Sequence, residues 1–243
     1  LQTAFSAFEA DDAFEAFTKL SWVHPFAVFM TFKRLNLNKG WLEWPEEQKN
    51  WPYKKELDIS AYDDTIRYEM FLQYAFFTQW TALKQYANAE GIEIIGDIPI
   101  YVGIDSLDVW AARENFLLEA DGSPTFVAGV PPDYFSETGQ RWGNPLYNWA
   151  HIQQDGFAFW LERFRASMQL FDVIRIDHFR GFDTFWEIPA SCPTAVEGIW
   201  KEAPGYALFD KVMEEMPEIR IIAEDLGMLR DEVDQLRDHY HFP

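Results

Sequence analysis

Cysteine is almost absent from this sequence of 243 residues, in which Cys192 is the single example. One cysteine excludes an internal disulfide bond and a metal cluster with several thiolate ligands. A chain without disulfides fits a reducing compartment, where disulfide bonds are rare. We therefore expect the protein to be cytoplasmic.

Positive charge is also scarce, because 20 Lys and Arg stand against 40 Asp and Glu, which gives a net charge of −20 at pH 7. Binding to phosphate groups needs clustered Lys and Arg, so this balance argues against nucleic acid and anionic membranes as partners. Long apolar runs are missing too, and the sequence from Leu1 onward has no signal-peptide pattern. We expect neither a nucleic acid nor a membrane as partner.

Aromatic residues are abundant by contrast, since 11 Trp, 10 Tyr and 22 Phe make up 18% of the chain. Most of these rings are expected to pack in the core. An aromatic ring with a polar edge also suits the apolar face of a sugar. Aromatic content alone leaves both interpretations open.

The sequence changes character near residue 90. Before it, apolar residues recur at helical spacing, as in the stripe that includes Ile66, Met70 and Tyr74. After it, short apolar runs alternate with helical patterns. We predict a helical subdomain over residues 1–90 and an α/β domain over residues 91–243.

Three short apolar runs in the second part predict buried strands, near residues 92–100, 171–177 and 219–225. Each is followed by a helical pattern, which indicates a parallel sheet with helical crossovers. Each run also ends on a carboxylate, namely Asp97, Asp177 and Glu224. Because the ends of parallel strands in a barrel lie at one rim, we expect these three acids to lie together.

The middle run has an unusual pair of charges. Side chains alternate along a strand, so Arg175 and Asp177 share the face opposite the two isoleucines of this run. A neighbouring arginine favours the ionised form of Asp177, and an ionised carboxylate is what a nucleophile needs. A structural ion pair at a strand end explains the same pattern, because ion-pair networks also gather buried charges.

Two chemistries use three acids at such a rim. One is a divalent metal site with hard oxygen ligands, such as a magnesium site. The other is cleavage of a glycosidic bond, with one carboxylate as nucleophile and another as proton donor. Arg175 favours the second, because a cation on the same face as Asp177 competes with a metal ion. We therefore expect no metal and no cofactor.

Two further segments are predicted to lack regular structure. Residues 129–150 are dense in Gly, Pro and aromatic residues, which predicts a long loop. Loops of this length in a compact domain are usually functional. Residues 183–203 are predicted to be mostly irregular.

Four segments together resemble the 4-α-glucanotransferases (amylomaltase or disproportionating enzyme, glycoside hydrolase family 77), which are relatives of the α-amylases. The resemblance extends from about residue 91 to 243 and is weaker over residues 1–90. The segments are Gly96-Asp97-Ile98-Pro99-Ile100-Tyr101-Val102, Gly129-Val130-Pro131-Pro132-Asp133-Tyr134-Phe135-Ser136, Arg175-Ile176-Asp177-His178-Phe179-Arg180-Gly181-Phe182 and Ala223-Glu224-Asp225-Leu226-Gly227.

The resemblance implies a retaining transglycosylase that forms a covalent glycosyl-enzyme, with α-1,4-glucans (maltooligosaccharides) as donor and acceptor and without a cofactor. Asp177 matches the nucleophile of the family, and Glu224 matches its general acid/base. The remaining matches imply substrate-binding roles, and they are Arg175, His178, Asp97, Asp133, Tyr134, Gln140, Trp142 and Asp225.

The sequence also departs from that family. The family uses a third carboxylate from a His-Asp pair on a later strand, and no such pair follows Glu224; Asp183 is a weak substitute. A closed (β/α)8 barrel needs eight strands, whereas three are predicted here. The expected fold class is therefore α/β, as a partial (β/α)8 TIM barrel (about strands 3–5) with an N-terminal helical insertion.

The three-strand count makes us expect a fragment that is inactive alone. Two alternatives to a glucanotransferase stay open. One is an amylase-type hydrolase of α-glucans, which would release reducing ends without building longer chains. The other is a non-catalytic module that binds glucan through its aromatic residues.

Overall fold

A computed structural model describes residues 1–224, 226 and 230–243 of the chain. The described residues fall into two compact units. The first unit consists of Leu1–Gln85 and Asp105–Ala112, and the second of Tyr86–Ile104 and Arg113–Pro243.

Helices and strands are both well represented among the described residues. The helices are α1 (Gln2–Ser6), α2 (Asp12–Thr18), α3 (Val23–Leu35), α4 (Glu46–Lys49), α5 (Trp51–Lys54), α6 (Asp63–Ala89), α7 (Leu107–Ala111), α8 (Trp149–Gln154), α9 (Ala158–Leu170), α10 (Gly205–Glu215) and α11 (Asp231–His239). The strands are β1 (Ile95–Pro99), β2 (Phe126–Val130), β3 (Gln140–Pro145), β4 (Val173–Asp177), β5 (Thr184–Pro189), β6 (Ile199–Glu202) and β7 (Ile221–Ala223).

The first unit is helical, and its core is aromatic. Phe32, Trp41 and Trp110 are almost completely buried. Trp51 stacks on Trp110 with ring centroids 6.2 Å apart and ring planes 5° apart. Burial of such large rings supplies most of the apolar area that holds short helices together, because helices of four to seven residues are marginal on their own. Within the described residues, no helix has the length and apolarity needed to cross a bilayer.

The second unit contains the predicted parallel sheet, with strand order β1-β4-β7. Both strand pairs are parallel. Ile174 and Ile176 are buried on one face of β4, whereas Arg175 and Asp177 are less buried on the other. Helix α9 packs against β1 and β4. The prediction of three parallel strands is therefore confirmed, and the fold is mixed α/β.

A second sheet corrects two predictions from the sequence. Strands β3, β2, β5 and β6 form a four-stranded antiparallel sheet in that order. The predicted loop over residues 129–150 therefore contains the end of β2 and all of β3, and the connection between them is limited to residues 131–139. Residues 183–203 hold β5 and β6 rather than irregular chain.

The reason for this error lies in the composition of these strands. Strand β3 reads Gln-Arg-Trp-Gly-Asn-Pro, which has no apolar alternation. Its extended form comes from pairing with β2, with an irregular register between Val127 and Gly129. A strand that owes its conformation to a neighbour leaves little periodic signal in its own sequence.

A 3₁₀ turn at Phe179–Phe182 follows β4 and ties it to the core. Both phenylalanines at its ends are fully buried. The Phe182 ring lies 4.9 Å from that of Trp160 and 5.2 Å from that of Phe209. A Cβ at Gly181 would lie 2.6 Å from Ile100 Cδ1, so the Ile100 side chain would have to move to admit another residue. The chain just past Asp177 is thus rigidly anchored.

Candidate active site

The register of the parallel sheet sets the height of each acid at its rim. Asp97 on β1 lies level with Arg175 on β4. Ala223 pairs with Ile176, so Glu224, the next residue, comes level with Asp177. The backbone N–H of Glu224 donates to Ile176 O at 3.1 Å. Asp177 and Glu224 therefore share one level, and Asp97 lies two residues below them.

Arg175 contacts all three acids. Its Nη1 donates to Asp97 Oδ1 at 2.5 Å, and its Nη2 donates to Asp177 Oδ1 at 3.1 Å and to Glu224 Oε1 at 2.8 Å. The hydrogen bond to Asp97, aided by the charges of Asp97 and Glu224, raises the pKa of Arg175 above its usual value. The guanidinium thus stays charged and offsets part of the repulsion between the acids.

The two acids at the upper level differ in environment. The side chain of Asp177 is 46% exposed, whereas that of Glu224 is 16% exposed. The second oxygen of Glu224 accepts a hydrogen bond of 2.6 Å from the backbone N–H of His178. Because Asp177 Oδ1 and Glu224 Oε1 contact the same nitrogen, they lie no more than about 6 Å apart, which is compatible with the carboxyl separation of about 5–5.5 Å in retaining glycosidases.

His178 lies directly after the nucleophile candidate and adopts an uncommon backbone conformation. Its φ of 55° is in the left-handed region, which costs energy for a residue other than glycine. This turn directs the His178 N–H to Glu224 and the ring to Trp142, whose centroid is 4.8 Å away in a T-shaped contact. Burial and the charge of Arg180 outweigh the nearby Asp177 and lower the pKa of His178 to about 4. The imidazole is therefore neutral at pH 7.

A cavity of about 330 Å³ opens above this rim. Both Asp177 and Glu224 line it, together with residues of the antiparallel sheet. Asp97, Arg175 and Tyr134 are not among the described residues that line the cavity. The lining is Val130, Pro131, Asp133, Gln140, Trp142, Asp177, His178, Arg180, Trp200, Glu224 and Leu226.

Three of the predicted substrate-binding residues reach the cavity from the antiparallel side. Gln140 and Trp142 project from the same face of β3, and Trp142 Nε1 donates to Gln140 Oε1 at 3.1 Å. Asp133 holds the connecting segment in a turn, because its Oδ1 accepts from the N–H groups of Phe135 and Ser136 at 2.9 and 2.8 Å. These contacts fix the side of the cavity opposite the acids.

Of the other predicted residues, Tyr134 is not brought to the cavity. Tyr134 is 97% exposed, and its ring contacts the exposed Phe135 ring at 5.5 Å. Asp225 lies outside the residues that the structure describes. The substitute third carboxylate, Asp183, accepts two hydrogen bonds from Arg230 at 2.7 and 2.9 Å and is not among the lining residues. The idea that Asp183 replaces the missing acid is therefore not supported.

The alternative of a magnesium site can be tested on the same geometry. A cation that binds three acids must lie where their oxygens converge, and the Arg175 guanidinium occupies that place. In the described part of the chain, no group of three or more His, Cys, Asp or Glu is arranged to hold a metal ion. The donor set at this rim therefore does not fit a divalent cation.

Arg180 and Trp200 line the cavity, although neither was singled out from the sequence. Arg180 follows Asp177 by three residues within a conspicuous motif, so its proximity could have been inferred. Trp200 could not, because it lies on β6 in the segment predicted to be irregular. Only the pairing of β6 with β5 brings it to the site.

Comparison with known proteins gives a consistent result. The profile of the family described as 4-alpha-glucanotransferase matches residues 1–243. A protein of that description from Thermus thermophilus is 48% identical and is matched over 100% of this chain and 50% of its own length. One from Aquifex aeolicus is 43% identical with the same two coverages. The chain spans about half the length of the curated relatives it matches.

Solved structures agree with these relatives. Amylomaltase from Streptococcus agalactiae in complex with acarbose superposes with a TM-score of 0.89 at 40% identity, over 95% of this chain and 47% of that one. Amylomaltase from Corynebacterium glutamicum gives a TM-score of 0.77 over 99% of this chain and 33% of that one. At 20% identity, this second likeness concerns the fold alone.

Proposed function

This chain belongs to the 4-alpha-glucanotransferase family, and on that premise we propose that the whole protein transfers segments of α-1,4-glucan from one maltooligosaccharide to another. The observation that carries the proposal is the pair Asp177 and Glu224, which share one level of the rim and are joined through Arg175. Both line a cavity with an aromatic wall, which suits a sugar.

In the proposed first step, Glu224 protonates the leaving glycosidic oxygen and Asp177 attacks the anomeric carbon. Arg175 Nη2 and the His178 N–H each use one lone pair of Glu224. A carboxylate offers about four lone-pair sites, so Glu224 retains sites on which a proton can be carried toward a substrate. Arg175 Nη2 donates to Asp177 and so holds the attacking carboxylate in place.

In the second step, Glu224 acts as base and removes the proton of the 4-hydroxyl of an acceptor glucan. That oxygen attacks the glycosyl-enzyme and frees Asp177. Transfer to a sugar instead of water requires a site that excludes solvent. The apolar part of the lining, with Val130, Pro131 and Trp142, supports this requirement.

The proposal includes the architecture and the ligand contacts. Strands β1, β4 and β7 correspond to about the third to fifth strands of a (β/α)8 barrel, residues 1–90 to a helical insertion, and residues 91–243 to the central part of the catalytic domain. The substrate-binding roles extend to Tyr134, which must move to reach a glucan in the cavity, and to Asp225. The single Cys192 supports a cytoplasmic location.

The test is incubation of the whole protein with maltotriose, followed by separation of the products. We expect glucose together with maltooligosaccharides longer than the substrate. Asp177→Asn should lower the rate by at least about 10³-fold, because no nucleophile is left for the covalent step. Asp234→Asn, on the surface of α11, is the matched control and should leave the rate unchanged.

Other outcomes would favour the alternatives. Release of reducing ends without longer chains would indicate an amylase-type hydrolase. Binding of maltooligosaccharides without any product would indicate a glucan-binding module. Loss of activity with a chelator would contradict the assignment of the rim charge to Arg175.

A further inference from the structure

One wall of the cavity carries a pair of residues that the proposed chemistry does not use, Arg180 and Trp200. Arg180 is 9% exposed, and its buried Nε has no hydrogen-bond partner among the described residues. Its Nη2 reaches Thr184 Oγ1 only at 3.5 Å, and no carboxylate of the described residues lies within ion-pair distance. A buried arginine with so few polar partners must be held by something else.

The partner of Arg180 is the indole of Trp200. The guanidinium carbon lies over the Trp200 ring, 3.9 Å from its centroid. A planar, weakly hydrated guanidinium in this position is attracted by the electrons of the ring. Arg180 therefore covers one face of Trp200 and restricts its rotation, while 39% of the Trp200 residue stays exposed and lines the cavity.

A second contact holds Trp200 from the sheet. Trp186 on β5 pairs with Trp200 on β6, so the two rings share a face and their centroids are 5.2 Å apart. Trp186 is itself fixed, because its Nε1 donates to Ala195 O at 2.9 Å. A side chain at Gly198 would lie 2.5 Å from the Trp186 ring, so only glycine allows this close packing.

The position of Trp200 is also coupled to the reacting acids. Arg180 lies three residues after Asp177, in the 3₁₀ turn whose buried phenylalanines anchor it in the core. The backbone N–H of Ala203, just past β6, donates to Asp183 O at 2.8 Å, directly after the same turn. Trp200 is therefore held at a set place relative to the nucleophile by two short connections.

We propose that Trp200 binds the apolar face of a glucose ring in this cavity, and that Arg180 is a positioning residue that holds the indole ready for it. A pyranose ring has apolar C–H faces and hydroxyl edges, which match an exposed indole in a partly apolar cavity. Fixing the ring before binding lowers the entropy lost on binding. This inference rests on the proposed function, because it takes a glucan as the ligand.

The experiment measures binding apart from turnover. Maltotetraose is titrated calorimetrically into the whole protein in the Asp177→Asn background, so that the sugar is not consumed. Trp200→Ala should weaken binding by about three- to tenfold, and Trp200→Phe, which keeps an apolar face, should weaken it less. Ile199→Ala is the matched control, because its side chain projects from the opposite face of β6 and should leave binding unchanged.

The role of Arg180 is tested by a double-mutant cycle. Arg180→Lys should weaken maltotetraose binding when Trp200 is present and add little when Trp200 is already Ala, because its effect passes through the indole. Thermal denaturation of each variant checks that it is folded. Equal effects of Arg180→Lys in both backgrounds would overturn the positioning role.

Failure of this inference differs from failure of the proposed function. If the wild-type protein builds longer glucans but Trp200→Ala binds maltotetraose as well as its parent, the inference is wrong and the function stands. If the wild-type protein makes no glucans longer than its substrate but maltotetraose binding depends on Trp200, the transfer proposal is wrong and the inference stands. If the Trp200→Phe variant binds maltotetraose as poorly as the Trp200→Ala variant, Trp200 does not act through an apolar ring face, and the inference is again wrong.

Discussion

The two sheets of the second unit contribute different kinds of side chain to one cavity. The parallel sheet supplies charge, since Asp177 and Glu224 lie at its rim and Arg175 joins them. The antiparallel sheet supplies flat apolar surface and neutral polar groups, with Trp142 from β3 and Trp200 from β6. Both sets face the same 330 Å³ of space.

This difference follows from how each sheet is built. Parallel strands present their carboxyl ends at one edge, so a single residue past each strand suffices to gather acids there. Antiparallel strands run back and forth and present every second side chain to one face, so they form a broad wall. If this division is correct, substitutions on the parallel rim should lower kcat and substitutions on the wall should raise KM.

The largest effect is expected for Glu224, the proposed acid/base. Glu224→Gln should lower kcat for transfer between maltooligosaccharides by about 10²–10⁴-fold, because an amide cannot carry the proton. A maltosyl fluoride donor, whose leaving group needs little protonation, should restore glycosyl-enzyme formation in this variant but not in Asp177→Asn.

The control for this substitution is Glu214→Gln on the surface of α10, which should behave like the wild type. Equal failure of the Glu224→Gln and Asp177→Asn variants with the fluoride donor would show that Glu224 is not the proton donor. The charged rim would then have one reacting acid instead of two.

The next effect in size concerns the residue that joins the acids. Arg175→Lys keeps the positive charge but cannot bridge three carboxylates with two nitrogens in one plane. We expect kcat to fall by about 10- to 100-fold, because the two reacting carboxyls lose their common contact and shift. A rise in KM with unchanged kcat would mean that Arg175 contributes to substrate binding and not to the chemical step. The proposed division of roles between the two sheets would then be wrong for this residue.

A smaller effect is expected on the antiparallel side. Trp142→Ala should raise KM for maltotriose by about three- to tenfold with a lesser change in kcat, because the indole offers contact area and not a proton. Trp142→Phe retains a ring next to His178 and should recover most of the loss. A fall in kcat alone would instead mean that Trp142 acts by orienting His178 beside the acids.

A further effect, on stability and not on turnover, concerns acid pH and the half-buried His178. Its pKa is about 4 in the folded protein and 6.5 when unperturbed, so between these values the unfolded chain binds more protons than the folded one. Stability supplied by neutral His178 is therefore present above pH 6.5 and lost as pH falls toward 4, by at most about 1.4 kcal/mol for each pH unit.

The measurement is the free energy of unfolding of wild type and His178→Gln between pH 4 and pH 8. The free energy of unfolding of the wild type minus that of the variant should be constant above pH 6.5. Below pH 6.5 this difference should decrease, because only the wild type loses the stability supplied by neutral His178. A difference that does not vary with pH would mean that His178 takes up a proton as readily in the folded chain as in the unfolded one.

The parallel sheet was predictable from residues close together in the sequence. Ile174 and Ile176 alternate with Arg175 and Asp177, and this period of two fixes which side chains face the core. The acid at the end of each apolar run then follows from strand direction alone. The pair Asp177 and Glu224 was found in this way, as was the charged neighbour Arg175.

The antiparallel sheet was not predictable in the same way. Strand β3 has glycine and proline within six residues, and β6 has four exposed residues, so neither has an apolar pattern of its own. The resemblance to the family predicts Tyr134 at the cavity, yet the turn held by Asp133 leaves that ring in solvent.

The sequence by itself determined which carboxylates we propose to react, because strand periodicity and strand ends are local properties of the chain. The tertiary structure decided what those groups face. It set Asp97 level with Arg175 and below Asp177, and it brought Trp200 over Arg180 across twenty residues of chain. Such contacts depend on which strands pair and in which register. The energy of pairing depends on both segments together, and neither segment's own sequence indicates which other segment it will pair with.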